Sequence, residues 1–292
     1  MKPKQYISRW RSPKAERKFR AMEDELWAGY SRRPEAVDVE TDRGTTRAYR
    51  WKGGGEAIVF LHGIGGTSLL WASYAEELEG RDVWSIDILG DAGRSEQRLP
   101  YAEPDDLGAS LDEALAALDI TRAHLVGHSL GGWLALNLAS RRPSRVASAV
   151  LLDPVGIGEL HTLGFLLSGV PVLLGAFAPA PVRRWIAQRF RMPLLDDKRA
   201  IRLMLYGQIN HPPRIPRLPP FTDDELRSIA VPVAVLVGER TEPFDADEVV
   251  TRAKALIPHA TVALVPDAGH AFPVDHVDLV LACVEQLRNA TR

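Results

Sequence analysis

The feature of this chain that most constrains its fold is an alternation of short apolar runs with longer segments of helical spacing. The first run, "AIVFLHGIGG" (57–66), lacks the period of two expected for a half-exposed strand. Similar runs recur as "VWSIDIL", "AHLVGH", "ASAVLLD", "VPVAVLVG" and "TVALVP". Strands that are buried on both faces and separated by helices predict an α/β protein, with a mostly parallel sheet and helices on both faces.

The segments between these runs predict the helices. They cover about 68–78, 104–118, 246–256 and 274–287, and another helix begins at Leu130. Near the N-terminus, Ser12-Pro13 is typical of a helix start. Alternating residues around Asp42-Arg43-Gly44 predict a β-hairpin ahead of the first buried strand.

Residues 155–220 interrupt this rhythm. Between His161 and Arg183 the chain carries no charge, and this length approaches that of a membrane-spanning helix. Prolines and glycines divide the stretch, which therefore favours a pair of apolar helices folded over a pocket. The predicted organisation is an N-terminal helical segment (1–34), a core (35–154 and 221–292), and a helical cap (155–220) inserted after the strand that ends at Asp153.

The most specific motif is Gly-x-Ser-x-Gly at 127–131, between a predicted strand and a predicted helix. Glycines at both ends of the motif let the chain turn sharply and push the Ser129 hydroxyl outward. The N-terminus of the following helix favours developing negative charge. Ser129 is therefore a candidate nucleophile, and an ordinary glycine-rich turn is the alternative.

The loop "FLHGIGGTS" (60–68) also follows a strand. Glycines let a backbone approach a ligand closely, and acyl transfer needs N–H donors aimed at an oxyanion. We expect the backbone amides of Ile64 and Leu130 to form this oxyanion hole. His62 lies in the loop, but another histidine is a better candidate for the base.

That histidine is His270, in the loop "VPDAGHAF" (265–272) after the last strand. Beside Gly269 on a turn, its ring can approach the serine, as a general base must. His128 adjoins Ser129 in sequence, but adjacent side chains at a sharp turn point apart. We interpret His128 as structural.

The order of a His-Gly loop, Gly-His-Ser-Leu-Gly-Gly and Asp-Ala-Gly-His resembles the α/β-hydrolase superfamily over residues 35–290. More narrowly, "IDILGDAGRS" (86–95) and "FTDDELRSIAVPV" (221–233) look like stretches of bacterial serine carboxylesterases. The resemblance implies the α/β-hydrolase fold, with Ser129 as nucleophile and His270 as base. It also implies the oxyanion hole at Ile64 and Leu130 and the cap at 155–220.

The sequence departs from the family at the triad acid. The usual position, Gly-x-x-Asp or Gly-x-x-Glu after the penultimate strand, holds Thr241. Glu242 follows it but precedes a proline that restricts its backbone. Some superfamily members carry the acid one strand earlier, where this chain has Asp153. We predict Asp153 as the acid, with Glu242 second and Asp245 or no acid as further alternatives.

These residues predict a cytoplasmic serine hydrolase that cleaves a small, apolar carboxylic ester through an acyl-enzyme, without metal or cofactor. A thioesterase, lactonase, carbon–carbon hydrolase, perhydrolase or catalytically silent binding protein remains an alternative. The formal net charge of −2 gives no reason to expect nucleic acid or an anionic membrane as a partner. The sequence leaves the oligomeric state open. Apolar cap residues are predicted to bind the substrate: Phe165, Leu166, Val170 and Phe177.

Overall fold

The computed structural model describes residues 7–291, except for the side chains of residues 162–168. A nine-stranded sheet forms the centre of this part of the protein. The strands are β1 (Glu35–Thr41), β2 (Gly44–Trp51), β3 (Gly54–Leu61), β4 (Arg81–Ile86), β5 (Glu96–Gln97), β6 (Ala123–His128), β7 (Val146–Leu152), β8 (Val233–Gly238) and β9 (Thr261–Val265).

Ten α-helices accompany the sheet within the described residues. They are α1 (Pro13–Trp27), α2 (Ala72–Glu77), α3 (Asp105–Ala117), α4 (Leu130–Arg141), α5 (Thr162–Phe177), α6 (Ala180–Arg189), α7 (Lys198–Asn210), α8 (Asp223–Arg227), α9 (Ala246–Leu256) and α10 (Val277–Ala290). Short 3-10 helices occupy Ser68–Trp71, Pro143–Arg145, Pro193–Asp196 and Phe272–Val274.

The strand order is β1-β2-β4-β3-β6-β7-β8-β9, and β5 pairs with β2. All neighbours from β4 to β9 in this order are parallel, whereas β2 is antiparallel to β1, β4 and β5. The predicted α/β fold with a mostly parallel sheet is confirmed. The predicted hairpin is β1–β2, because Thr41 pairs with Gly44 across a two-residue turn.

Both faces of the sheet are covered, as the unbroken apolar runs predict. In β3, Val59 and Leu61 pack into one hydrophobic core together with residues of α3, α4 and α9. Ile58 and Phe60 pack into a second core with residues of α1, α2 and α10. Successive strand residues point to opposite faces, so a strand between two helical layers needs apolar residues at every position.

Four helices, α5 to α8, lie between β7 and β8, and the first three of them share a small hydrophobic core of their own. The long uncharged stretch forms α5 and the start of α6, which a break at Ala178 and Pro179 separates. In the part of the chain that is described, no helix combines the length and apolar character needed to cross a membrane. The sequence reasoning did not single out α7, whose amphipathic pattern lies beyond the apolar stretch.

The N-terminal helix α1 begins where Ser12-Pro13 predicts, and the Ser12 hydroxyl accepts a hydrogen bond from the Ala15 N–H. This helix packs against α7 and buries Glu23 completely. Arg94 Nε donates to Glu23 Oε2 at 2.6 Å. Burial, and then repulsion from Asp87, nevertheless raise the pKa of Glu23 to about 7.

This raised pKa predicts a pH-dependent effect of Glu23→Gln. Between pH 4.5 and 7 the folded protein binds more protons at Glu23 than the unfolded chain does, so stability falls as pH rises. The variant has no carboxyl group at this position, so its stability does not fall with pH for this reason. Its free energy of unfolding relative to the wild type should therefore increase from pH 5 to pH 8, by up to about 3 kcal/mol.

Urea unfolding of both proteins at the two pH values measures the change. Asp24→Asn is the matched control, because it removes an exposed carboxylate that contacts the same Arg94 guanidinium. The control should change stability by a similar amount at both pH values. An equal effect of Glu23→Gln at pH 5 and pH 8 would contradict the assignment of a raised pKa.

Candidate active site

The loops that carry the candidate residues follow adjacent strands of the parallel part of the sheet. Ser129 follows β6, Asp153 follows β7, Thr241 and Glu242 follow β8, and His270 follows β9. The candidate oxyanion loop follows β3, on the other side of β6. Because the carboxyl ends of parallel strands share one edge of a sheet, these loops lie together where open α/β sheets bind ligands.

Ser129 occupies a sharp turn between β6 and α4. Its backbone has φ 53° and ψ −109°, a conformation that few non-glycine residues adopt. The turn needs its two glycines, since a Cβ at Gly127 would lie 2.1 Å from the carbonyl oxygen of Gly131. A Cβ at Gly131 would lie 2.1 Å from the carbonyl oxygen of Leu61. Glycine is therefore required at both positions of the motif, because any larger residue would collide with the backbone.

The carboxylate of Asp153 contacts the ring of His270. His270 Nδ1 lies 2.6 Å from Asp153 Oδ2, and the Asp153 side chain is completely buried. The Gly238 N–H donates to Oδ1 at 2.8 Å, and the Thr241 hydroxyl donates to Oδ2. Three donors therefore surround this carboxylate. The sequence reasoning treated Thr241 only as a missing acid and missed its contact with Asp153.

Glu242 contacts the same histidine at its backbone. Its Oε2 accepts a hydrogen bond from the His270 N–H at 3.3 Å. Burial raises the pKa of Glu242 above its ordinary value. The third candidate, Asp245, caps the N-terminus of α9 by accepting from the Glu248 N–H. Of the three carboxylates, Asp153 alone contacts the His270 ring within the described residues.

His128 packs against His270 in a way that the sequence did not reveal. The two ring centroids are 4.8 Å apart, and His128 Nε2 donates to the backbone carbonyl oxygen of His270 at 2.9 Å. Burial, and then the neighbouring His270, lower the pKa of His128 to about 3. His128 is thus a neutral support for the loop of His270.

The Ser129 hydroxyl itself makes no hydrogen bond to any described residue.

The loop after β3 is held by buried carboxylates that the sequence reasoning also missed. The Gly65 N–H donates to Asp91 at 2.6 Å, and the Ser68 N–H donates to Asp87 at 2.9 Å. Burial raises the pKa of Asp91 to about 6. Both acids belong to the carboxylesterase-like stretch at 86–95. Their position in that stretch was the one sequence feature that could have indicated a role for them near the site.

These contacts leave two backbone donors free. Leu130 is the first residue of α4, so its N–H has no partner within the helix. Among the hydrogen bonds of the described residues, the Ile64 N–H also has no acceptor.

His62 uses both ring nitrogens in the loop: Nδ1 contacts the Gly63 carbonyl at 2.8 Å and Nε2 accepts from the Ile88 N–H at 2.9 Å. His62 therefore has no ring nitrogen left to act as a base.

A cavity of about 280 Å³ lies beside this loop. The candidate site and its loop supply seven of the lining residues: Gly63, Ile64, Gly65, Gly66, Thr67, His128 and Ala271. The other walls are mostly apolar and come mainly from α1, α2, α7 and the 3-10 helices at 68–71, 193–196 and 272–274. They include Leu26, Leu69, Leu70, Pro193, Leu194, Leu203, Met204, Pro273 and Val274. The described lining contains one charged residue, Asp197, whose carboxylate caps α7 and is half exposed.

The predicted substrate-binding residues of the cap do not line this cavity where they are described. Val170 and Phe177 are exposed, Phe177 to 75%. The side chains of Phe165 and Leu166 lie outside the described part of the structure. Apolar character alone did not distinguish a pocket wall from an outer face.

Comparisons with known proteins agree with this architecture. Residues 58–282 match the sequence model of the alpha/beta hydrolase family. A dihydrolipoyllysine-residue acetyltransferase component of an acetoin cleaving system from Pseudomonas putida is 30% identical over 245 residues, which cover 78% of this chain and 62% of that protein. An uncharacterized carboxylesterase of Bacillus subtilis is 28% identical over 241 residues, which cover 80% of this chain and 79% of the relative.

A solved structure is similar over almost the whole chain. The naproxen esterase of Bacillus subtilis matches with a TM-score of 0.79 and 23% identity, covering 95% of this chain and 99% of that one. At 23% identity, this match shows only that the two proteins share a fold. The similarity to carboxylesterases beyond the fold comes from the sequence comparison with the Bacillus subtilis relative.

Proposed function

The chain belongs to the alpha/beta hydrolase family, and we propose that it is a serine hydrolase that cleaves carboxylic esters of small, apolar compounds through an acyl-enzyme. The observation that carries this proposal is the 2.6 Å contact between His270 Nδ1 and the buried Asp153 carboxylate. That contact keeps the proton on Nδ1 and leaves Nε2 unprotonated, as a general base requires. The similarity to a bacterial carboxylesterase supports an ester as the substrate.

In the first half of the reaction, the Ser129 hydroxyl attacks the ester carbonyl carbon while His270 Nε2 takes its proton. The tetrahedral oxyanion accepts hydrogen bonds from the Ile64 and Leu130 amides, which lack other acceptors in the described structure. Asp153 stabilises the imidazolium that forms. His270 then protonates the alcohol oxygen as the carbon–oxygen bond breaks, leaving an acyl-serine.

In the second half, a water molecule attacks the acyl-serine and gives its proton to His270 Nε2. The same donors stabilise the second oxyanion, and His270 returns the proton to Ser129 as the carboxylic acid leaves. The neutral state of His128 favours this cycle. A second positive charge 4.8 Å from the His270 ring would oppose the imidazolium of each transition state.

We propose that the apolar cavity holds part of the ester and that residues 155–220 act as a cap over it. Leu194, Leu203 and Met204 line the cavity from this segment. A lining without lysine or arginine, as the described cavity has, offers no ionic partner to a carboxylate on the substrate. Its one charged residue, Asp197, would repel such a group.

This composition predicts the specificity of the proposed reaction. Uncharged aliphatic p-nitrophenyl esters should be hydrolysed at least about tenfold faster, in kcat/KM, than half-esters of dicarboxylic acids of the same length. Asp197→Asn should reduce the difference by removing the charge while keeping a side chain that can cap α7. A preference for the half-esters would contradict the proposed pocket.

Thioesters and lactones with matched acyl chains, added to this set of esters, separate the alternative activities. They test whether the protein prefers an open-chain oxygen ester. Oxygen esters should have the highest kcat/KM. Binding of these compounds without turnover of any of them would identify a silent binding protein and overturn the proposed function.

A further inference from the structure

One buried acid beside the candidate site has no part in the reaction proposed above. Asp91, in the segment after β4, is almost completely buried and forms no ion pair with a lysine or arginine among the described residues. Its Oδ2 accepts from the Gly65 N–H at 2.6 Å, and its Oδ1 accepts from the Ala92 N–H at 2.7 Å. A buried carboxylate without a cation lowers stability, so stability does not explain the aspartate at this position.

The Gly65 N–H belongs to a β-turn in the loop after β3. The Gly66 N–H donates to the Gly63 carbonyl oxygen at 2.9 Å, so the turn consists of residues 63–66. Gly65, the third residue, has φ 76°, whereas Ile64, the second, lies outside the left-handed region. These features define a type II turn, which favours glycine at the third position. The same turn carries the Ile64 amide, a predicted oxyanion donor.

The contact with Asp91 favours one orientation of the central peptide of this turn. Type I and type II turns have similar ends, but the peptide between their second and third residues points in opposite directions. Here that peptide joins Ile64 to Gly65, and the Asp91 carboxylate accepts its N–H. In the opposite orientation the Ile64 carbonyl oxygen would face the carboxylate, and the two would repel each other. A charged Asp91 therefore stabilises the type II form.

We propose, on the basis of the proposed function, that Asp91 is a positioning residue whose charged carboxylate holds the turn at 63–66 and thereby fixes the Ile64 amide of the oxyanion hole. The Ile64 N–H is one peptide unit away from the peptide that Asp91 holds. Donors that are already in place stabilise a developing oxyanion most, because they need no rearrangement during the reaction. A turn that moves between two forms would lose part of this stabilisation.

The charge on Asp91 changes between pH 5 and pH 8. Burial raises the pKa of Asp91 to about 6, and His62 and the two backbone donors oppose this effect. The titratable groups that face Asp91 are His62 from the loop after β3, and Asp87 and Tyr101 from the segment between β4 and α3. At pH 8 the carboxylate is ionised. At pH 5 it is mostly protonated, and its protonated oxygen is a poorer acceptor.

Asp91→Asn tests this role directly, because asparagine keeps the shape but offers one acceptor oxygen to two N–H groups. At pH 8, kcat and kcat/KM for a p-nitrophenyl ester should both fall at least about tenfold, as when an interaction made in the transition state is weakened. At pH 5 the ratio of wild-type kcat to variant kcat should shrink to about twofold, since the wild-type carboxyl is then mostly protonated. His62 and His270 are present in both proteins, so their titration cancels in the ratio.

Asp82→Asn is the matched control. Asp82 is also a buried carboxylate with two donors, Arg50 Nε at 2.8 Å and Trp84 Nε1 at 2.9 Å. It lies at the start of β4, at the edge of the sheet opposite the candidate site. The control should lower the melting temperature, as Asp91→Asn should, but keep kcat within about twofold of the wild type at both pH values.

Gly65→Ala alters the turn and leaves Asp91 in place, so it tests the same role if Asp91→Asn does not fold. Alanine is disfavoured at φ 76°, and kcat should fall roughly five- to thirtyfold. The new Cβ would meet the end of the Gln208 side chain, which can move. In the double variant the two losses should not multiply, because both changes act on one turn.

Several results would overturn the role of Asp91 and leave the proposed function intact. They are an Asp91→Asn variant with wild-type kcat, a loss of the same size at pH 5 and pH 8, an equal loss in Asp82→Asn, or wild-type kcat in Gly65→Ala. Failure of the proposed function has a different signature, since the wild type itself would then hydrolyse no ester, and the role of Asp91 would fall with it.

Discussion

Replacing Asp153 by asparagine is expected to lower kcat for ester hydrolysis by about 10⁴-fold. Asparagine has nearly the same shape, and Gly238 can still donate to its remaining oxygen when the NH₂ group takes the place of Oδ2, which faces Thr241 and His270. It cannot stabilise an imidazolium as a carboxylate does, and its NH₂ group favours the tautomer of His270 with the proton on Nε2. In that tautomer the base facing Ser129 is lost. Steady-state kinetics on one p-nitrophenyl ester measures the effect.

Glu242→Gln is the matched control for this experiment. Its remaining amide oxygen can still accept the His270 N–H, which is the contact that Glu242 makes. We therefore expect kcat to fall by less than about tenfold, as for loss of a charged hydrogen-bond acceptor. The reverse order, with Asp153→Asn near the wild type and Glu242→Gln inactive, would return the acid to the loop after β8.

Ser129→Ala is expected to reduce ester turnover at least about 10³-fold, because only binding and oxyanion contributions remain without a nucleophile. The same change should abolish covalent labelling by a fluorophosphonate probe, which phosphonylates an activated serine. The folded state should persist, since alanine is smaller and the Ser129 hydroxyl makes no hydrogen bond to a described residue. Intact-mass spectrometry and thermal unfolding check the two expectations.

A serine outside the site provides the control for labelling. Ser73 also lines the cavity, but it lies on α2. Ser73→Ala should therefore keep the fluorophosphonate adduct. Labelling that survives in Ser129→Ala would overturn the assignment of the nucleophile.

The sequence determined the fold because its hydrophobic pattern allows few solutions. Strands such as β3 and β7 are apolar at successive positions, and only a sheet with helices on both faces buries all of them. The glycines at 127 and 131 likewise required a tight approach of backbone to backbone. The structure meets this requirement at Ser129, where a Cβ on either glycine would collide with a carbonyl oxygen. These features depend on local pattern and sterics.

The sequence also brought Ser129, His270 and the loop of Ile64 to one edge of the sheet, because each follows a strand. It placed Asp153 before Glu242 but left Glu242 as an alternative, since both follow strands near the one that precedes His270. The choice depends on side-chain positions that differ by a few ångströms. Gly238 and Thr241 hold Asp153 against the ring, whereas Glu242 contacts the backbone N–H of the same residue.

The apolar residues of α5 show the same limit. Their composition indicates that they avoid water, and it is equally compatible with a pocket wall and an outer face. Which face of a helix meets the core depends on contacts with distant elements. The sequence therefore determined the layers of this protein and the loops that carry its candidate residues. Tertiary packing decided which carboxylate meets His270 and which side of the cap faces solvent, because both depend on distances between residues far apart in the chain.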